Sequence, residues 1–276
     1  MAASRPLKIL MAASEIAPLA KTGGLGDVAG SLPPALEAIG LEVRLAMPFY
    51  RRVWATASNP VDTGLRLETM VGADRLRAEV WQTRLNGCPV YLIKQDSLYD
   101  RDGLYQADGA DFSDNHRRFI FFCRAVIELG RALDYPADVV HLHDWQASLV
   151  AAYLKSKFTD SGPLAGAKSL LTIHNLAYQG VFGSEVFGQT GLPPEMGGIG
   201  GLEFWGNISF LKAGLVFSDA LTTVSPTYAL EIQTPEGGMG MEGILASRQA
   251  DLSGILNGAD YSSWSPESDA YLPAAY

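Results

Sequence analysis

The chain of 276 residues carries 21 basic and 30 acidic residues, giving a formal net charge of −9, and 47% of its residues are hydrophobic. This composition excludes an intrinsically disordered chain and argues against non-specific nucleic-acid binding, because the overall field repels phosphate backbones. An anionic ligand would therefore have to be held by local amides and a few well-placed cations.

Cysteine usage and the N-terminal segment predict a cytoplasmic protein. Cys88 and Cys123 are too few for a disulfide framework and lack the spacing of metal ligands. The apolar run near the N-terminus is too short for a signal peptide or a membrane span. We therefore expect a protein of a reducing compartment that binds neither membranes nor nucleic acids.

The first predicted unit is a strand, a glycine-rich turn and a helix. Residues 7–13 predict the strand, and the turn is K-T-G-G-L-G-D over residues 21–27. Pro33 and Pro34 predict that the helix restarts there, with Ser31 as its cap. The predicted apolar stripe of this helix is Val28, Leu32, Ala35, Leu36 and Ile39.

The turn has the parts that hold a phosphate or diphosphate. Gly23 and Gly24 allow close backbone approach, free amides at the helix start attract anions, and Lys21 adds a mobile positive charge. The spacing fits neither the dinucleotide-binding pattern nor the P-loop, so it predicts neither an NAD-binding nor an ATPase site. An ordinary tight turn with a solvated lysine remains the alternative.

Strand and helix patterns alternate along the rest of the chain and predict an α/β fold with a doubly wound, mostly parallel sheet. Hairpin-like alternation over residues 61–93 predicts an antiparallel excursion at one edge, and the glycine-rich residues 178–207 predict an irregular surface insertion. Further strands are predicted at 41–47, 139–141, 170–173, 220–224 and 254–256, and helices at 114–133, 145–157, 208–217 and 227–233.

Polar side chains follow several of the predicted parallel strands. They are Lys21, Asp144, the pair His174 and Asn175, and Asn257. Because parallel α/β sheets bind ligands outside the carboxyl ends of their strands, these residues predict one shared crevice.

Seven motifs occur in order along the chain: K-T-G-G-L-G-D-V (21–28), L-Y-D-R (98–101), H-L-H-D-W-Q (141–146), T-I-H-N-L-A-Y-Q-G (172–180), I-S-F-L-K-A-G (208–214), T-V-S-P-T-Y-A (223–229) and L-N-G-A-D (256–260). This series resembles bacterial glycogen synthase and plant starch synthase, and it covers nearly the whole chain. The resemblance implies a glycosyltransferase-B fold and retaining transfer of glucose, usually from ADP-glucose, to an α-1,4-glucan, without a metal or cofactor.

The resemblance also implies a domain organisation. Residues 1–276 would form the N-terminal, Rossmann-like, acceptor-side lobe, and the series stops just after W-S-P at 264–266. The C-terminal lobe, which carries most of the nucleotide-binding surface in this family, is expected to be absent from the chain. Alone, the chain is expected to bind the donor poorly and to have little or no activity.

Individual residues receive roles from the same resemblance. Lys21 would contact the donor diphosphate, with amides from Gly23 and Gly24, and His174 would hold the 6-hydroxyl of the transferred glucose. Asp144 is the second expected catalytic residue. Asn175, Asn257, Asp144 and Asp27 would fix sugar hydroxyls and loop positions, and Tyr105 would line the acceptor side.

Several alternatives stay open. Asp27 is also a candidate helix cap, and His141 and His143 with Asp144 form a weak candidate metal site that lacks a third ligand cluster. Trp145 is expected in the core, whereas Trp205 is undecided between packing and carbohydrate stacking. Gly237-Gly238-Met239-Gly240 departs from the family, which usually has aromatics at the first and third positions, and this change would loosen a nearby loop.

Two other functions compete with the synthase hypothesis. The chain is alternatively a non-catalytic glucan-binding module, or part of a related glycosyltransferase with another donor.

Overall fold

The computed structural model describes residues 5–258, 265–267 and 272–274. The strands in these residues are β1 Lys8–Ala12, β2 Glu42–Pro48, β3 Val61–Val71, β4 Asp74–Leu85, β5 Cys88–Lys94, β6 Gln106–Ala107, β7 Ala110–Asp111, β8 Val139–His143, β9 Lys168–Ile173, β10 Val181–Gly183, β11 Glu203–Phe204, β12 Asn207–Ser209, β13 Ala220–Thr223 and β14 Leu252–Gly254. The α-helices are α1 Gly24–Ala38, α2 Val53–Thr56, α3 Asp96–Tyr99, α4 Asn115–Ala132, α5 Asp144–Leu154, α6 Phe187–Thr190, α7 Phe210–Phe217, α8 Pro226–Glu231 and α9 Glu242–Ser247.

One large sheet organises the structure, with strand order β14-β13-β9-β8-β1-β2-β5-β4-β3. Every neighbouring pair from β14 to β5 is parallel, whereas β4 and β3 run antiparallel at the edge. The predicted mostly parallel sheet and the predicted antiparallel excursion over residues 61–93 are therefore both confirmed.

The core forms where buried strands meet the apolar face of α4. The central strand β1 is almost wholly buried, as expected for a strand with neighbours on both sides and cover on both faces. The aromatic and aliphatic face of α4, with Phe119, Phe122, Val126 and Leu129, is fully buried. Trp145 packs against Phe119 with ring centroids 4.8 Å apart, so its predicted core position is confirmed.

Helix α1 differs from its prediction. It runs without a break through Pro33 and Pro34, so the predicted restart at Ser31 is wrong. Its fully buried face contains Leu25, Ala29 and Pro33. Of the predicted stripe, Leu32 and Leu36 pack partly buried against the core, whereas Ile39 is 74% exposed. The reason lies in its small residues: a Cβ on Gly30 would approach the carbonyl oxygen of Ala17 closer than 3.0 Å, so this face lies directly on the chain backbone.

Replacing Gly30 by alanine should therefore destabilise the protein, although alanine is the better helix former by about 0.5–1 kcal/mol. We expect Gly30→Ala to lower the free energy of unfolding by roughly 1–3 kcal/mol, because backbone must shift to admit the methyl group. Gly243→Ala in α9 is the matched control, since its Cβ would meet nothing within 4 Å. Urea unfolding measures the free energy of unfolding of both variants. Equal gains in stability would show that a methyl group at Gly30 does not clash with the backbone at Ala17.

Other element boundaries also differ from their predictions. β8 extends to His143, so α5 begins at Asp144, and β14 ends at Gly254, leaving Ile255 and Leu256 exposed. Residues 178–207 are not simply irregular, because β10, β12 and β11 form a small antiparallel sheet there. Since β12 reaches Ser209, α7 starts at Phe210, and Ser209 caps it by accepting the Lys212 amide at 3.1 Å.

Candidate active site

Five parallel strands end at one edge of the sheet, and the segments that follow them form the candidate site. β14, β13, β9, β8 and β1 are consecutive neighbours in the sheet. Lys21, Asp144, His174 with Asn175, and Asn257 follow strands of this group, as the sequence predicted. The strand ends are aligned by the register pairs Ala12–Leu142, His143–Thr172, Ile173–Thr223 and Thr223–Gly254.

A buried carboxylate shapes the glycine-rich turn. Glu15 is only 3% exposed, and its Oε1 accepts hydrogen bonds from the Thr22 hydroxyl and the Tyr105 hydroxyl, both at 2.7 Å. Its Oε2 accepts the backbone amides of Thr22 and Gly23. Sequence reasoning missed Glu15, for which the only indication is an acidic residue between a buried strand and a glycine-rich turn.

The turn itself presents a cation and open backbone. Lys21 Nζ lies 2.7 Å from Asp27 Oδ1, and both side chains are about half exposed. An ion pair in such a position contributes little to stability, so Lys21 is free to exchange its partner for a ligand. An ideal Cβ on Gly23 or Gly24 would meet no atom within 4 Å, so internal packing does not require glycine there.

Asp27 is not the cap of α1. The N-cap position is Gly23, and no side chain accepts a capping hydrogen bond there. Asp27 instead lies in the first turn, where the helix dipole stabilises its negative charge and its carboxylate forms an ion pair with Lys21.

Asp144 ties the ends of β8 and β9 together. It is 6% exposed, and its Oδ1 accepts the backbone amide of His174 at 2.7 Å. Burial raises the pKa of Asp144 to about 7, with a smaller contribution from the negative charge of Glu15, while the amides of His174 and Asn175 act in the opposite direction. Its φ of 52° is in the left-handed region, an uncommon conformation that often occurs in functional loops.

Three imidazoles form a row beside Asp144. The ring centroids of His141 and His143 lie 4.3 Å apart, and those of His143 and His174 lie 5.2 Å apart. His141 Nε2 lies 2.7 Å from Thr172 Oγ1, and His143 Nδ1 lies 2.9 Å from His174 Nε2. Burial lowers the pKa of His141 to about 3 and that of His174 to about 4, so both rings are neutral near pH 7.

The remaining predicted site residues are more loosely placed. Asn175 is exposed, and its Oδ1 accepts the Ala177 amide at 3.0 Å, which bends the loop after β9. Asn257 is also exposed, while Ala259 and Asp260 of its motif lie outside the described residues. The Tyr105 hydroxyl is already bonded to Glu15 and lies 2.7 Å from Ser14 Oγ.

The undecided Trp205 is 80% exposed. It lies with Gly206 in the turn between β11 and β12, and both residues have positive φ, as a two-residue hairpin turn of type I′ requires. The loop at 237–240, whose sequence differs from the usual family pattern, lies beside this turn. The carbonyl of Met239 accepts a hydrogen bond from Gln179 Nε2 at 3.1 Å.

Comparison with known proteins identifies the family. A profile described as the starch synthase catalytic domain matches residues 8–247. The chain belongs to the starch synthase catalytic domain family. Within the described residues, no helix is long and apolar enough to cross a membrane, and no group of three or more His, Cys, Asp or Glu side chains is arranged for a metal ion.

Relatives of this family extend beyond the length of the chain. It is 44% identical over 271 residues to a glycogen synthase of Syntrophotalea carbinolica, covering 98% of this chain and 56% of the relative. It is 46% identical over 274 residues to a glycogen synthase of Myxococcus xanthus, covering 98% and 57% respectively. The chain thus spans a little over half the length of the curated relatives it matches.

A solved structure confirms the predicted glycosyltransferase-B type of fold. The catalytic domain of starch synthase IV from Arabidopsis thaliana, bound to ADP and acarbose, matches with a TM-score of 0.87 and 31% identity. The match covers 99% of this chain and 56% of that one.

The raised pKa of Asp144 predicts a pH-dependent stability in this starch synthase domain. The native carboxyl keeps its proton up to about pH 7, whereas the ordinary value is 3.8, so the native state loses stability as the pH rises between these values. Asp144→Asn keeps an accepting oxygen, tolerates positive φ and does not titrate. We expect the free energy of unfolding of the wild type to fall relative to that of this variant by up to a few kcal/mol from about pH 4 to pH 7. Urea unfolding at each pH measures this difference, and a constant difference would contradict the assignment.

Proposed function

We propose that this chain is the N-terminal lobe, residues 1–276, of a glycogen or starch synthase that transfers glucose from ADP-glucose to the non-reducing end of an α-1,4-glucan. The proposal rests on the residues that follow the parallel strands at one edge of the sheet, in a chain of the starch synthase family. An exposed lysine and an open glycine turn follow one strand, and a neutral histidine held by a buried aspartate follows another nearby.

The glycine turn supplies the chemistry that a leaving nucleoside diphosphate needs. As the bond to the sugar breaks, negative charge grows on the phosphate oxygens, and Lys21 with the backbone amide of Gly24 would stabilise it. The expected amide contact from Gly23 is not available, because that amide donates to Glu15, so Gly23 would serve only to let the phosphate approach closely. Removing one such contact from an enzyme typically costs a few kcal/mol of transition-state stabilisation. Glu15 supports this role because it fixes the turn from the buried side and leaves Lys21 in the open.

The second group of residues suits the transferred sugar. His174 would hold the 6-hydroxyl, and Asp144 would fix the loop that carries His174 through the amide bond already present. The exposed Asn175 and Asn257, together with Asp27, would pair with sugar hydroxyls, which need both donors and acceptors. Tyr105 would line the acceptor side through its ring, since its hydroxyl is bonded to Glu15.

The proposal also includes a second lobe, which this chain does not contain, and ADP-glucose as the donor. The longer relatives named glycogen synthase support a further lobe, and the ADP bound to the Arabidopsis starch synthase IV domain supports an adenine nucleotide. Nucleotide selectivity would be set mostly by that second lobe.

A hybrid synthase tests the function. It joins this chain to the part of the Myxococcus xanthus glycogen synthase that lies beyond its match, and a second hybrid carries the matched part of the Syntrophotalea carbinolica enzyme as positive control. With ADP-glucose and maltoheptaose, we expect the first hybrid to lengthen the oligosaccharide by one or more glucose units, as mass spectrometry would show. Failure of this hybrid while the control hybrid is active would contradict the proposal.

The glucan-binding module is a second candidate, favoured by the exposed Trp205, because a flat solvent-facing ring suits sugar stacking. Binding of maltoheptaose by the purified chain, combined with no lengthening by the hybrid, would favour the module. Lengthening with UDP-glucose in preference to ADP-glucose would instead indicate a glycosyltransferase with another donor.

A further inference from the structure

His143 is a buried imidazole whose two nitrogens have different surroundings. The residue has no solvent exposure, and its Nδ1 lies 2.9 Å from Nε2 of His174. Its Nε2 is also buried and has no hydrogen-bond partner in the described part of the chain. Burial and the neighbouring rings of His141 and His174 keep the pKa of His143 well below its ordinary value, so the ring is neutral.

A neutral imidazole has a hydrogen on only one of its two nitrogens, so the hydrogen bond between His143 and His174 can have two arrangements. In the first, His143 donates from Nδ1 to Nε2 of His174, and only a lone pair on His143 Nε2 goes without a partner. In the second, His174 donates to His143, and a buried N–H on His143 Nε2 has no acceptor. Orphaned buried N–H donors are rarer than under-satisfied acceptors, so the first arrangement is favoured.

The first arrangement determines the hydrogen on the other ring. Since Nε2 of His174 accepts, its hydrogen must be on Nδ1. We propose that His143 is a positioning residue that fixes His174 as the Nδ1–H tautomer, so that the ring offers a hydrogen-bond donor to a hydroxyl oxygen of the bound sugar. The tautomer follows from the two rings alone, and only the identity of the sugar as ligand rests on the proposed function.

Fixing the tautomer has a chemical consequence. A sugar hydroxyl that accepts from His174 keeps its own hydrogen for a second partner, whereas the opposite tautomer would require the hydroxyl to donate. His143 thus determines whether His174 donates or accepts in its hydrogen bond with the sugar hydroxyl. His141 does not share this role, because its Nε2 faces Thr172 and not His174.

Nitrogen NMR of the purified chain labelled at histidine tests the inference. The sequence holds 4 histidines, so single substitutions suffice to assign their ring nitrogens. We expect His174 to show a protonated Nδ1 and an unprotonated Nε2. His143→Phe should release this preference and populate the second tautomer, whereas His143→Asn, whose amide can donate from nearly the same position, should retain it. His141→Phe is the matched control within the row and should leave His174 unchanged.

The wild-type spectrum decides the question even if a variant fails to fold. A His174 ring with its hydrogen on Nε2 would overturn the inference, and so would a folded His143→Phe variant with an unchanged His174 tautomer. Because the spectrum reports the ring directly and the hybrid synthase reports glucosyl transfer, the two proposals can fail separately.

Discussion

Replacement of Lys21 by alanine in the hybrid synthase is expected to lower glucosyl transfer from ADP-glucose at least roughly tenfold. The side chain is half exposed, and its ion pair with Asp27 is a surface pair, so the folded state depends on it little. The charge that grows on the departing diphosphate, by contrast, would lose its one positioned cation in the glycine turn. Transfer should therefore fall while the unfolding midpoint stays close to that of the wild type.

Lys168→Ala is the matched control for this prediction. Lys168 is also an exposed, ion-paired lysine, since its Nζ lies 3.2 Å from Asp219 Oδ1, but it lies at the opposite end of β9. Initial rates with saturating glycogen should fall for Lys21→Ala and not for Lys168→Ala. Equal rates for the two variants would show that Lys21 does not stabilise the leaving diphosphate.

Replacement of His174 by alanine is expected to lower the rate constant of transfer by about a hundredfold, the usual effect of losing one preorganised hydrogen bond in a catalytic site. The ring is neutral, and both its backbone amide and its Nε2 are already held, by Asp144 and His143 respectively. A histidine held at its backbone by Asp144 and at its ring by His143 is preorganised, so removal of its side chain should affect the transition state more than the affinity for glucan.

His116→Ala provides the comparison for His174. His116 is a half-buried histidine on α4 with its ring 5.7 Å from Phe182. Steady-state kinetics of both hybrids, with ADP-glucose varied, separate the rate constant from apparent donor affinity. Loss of rate in both variants to the same extent would indicate a general packing effect rather than a sugar contact.

The sequence predicted those features that depend on local pattern. Apolar strands followed by polar residues predicted the parallel sheet and the shared edge, because strand direction alone brings Asp144 and His174 to one side. The motif series then predicted the family. The positions of Lys21 and the open glycines follow from the same strand–turn–helix pattern.

Features that depend on contacts between distant parts of the chain were not predictable. Glu15 has no motif of its own, and its importance appears only when Tyr105, 90 residues away, donates to it. Helix α1 continues through two prolines, contrary to the local breaker rule, and its Gly30 packs on the backbone near Ala17, a tertiary contact that no local pattern reports. The pairing of His143 with His174 likewise depends on the register between β8 and β9.

The most direct measurement is incorporation of labelled glucose from ADP-glucose into glycogen by the purified chain and by the hybrid synthase, side by side, with Lys21→Ala in each. If residues 1–276 act as one lobe of a synthase, the hybrid incorporates label, Lys21→Ala loses most of that activity, and the chain alone incorporates little or none. Incorporation by the chain alone would contradict the lobe assignment. No incorporation by the hybrid, with an active control hybrid, would contradict the synthase function itself.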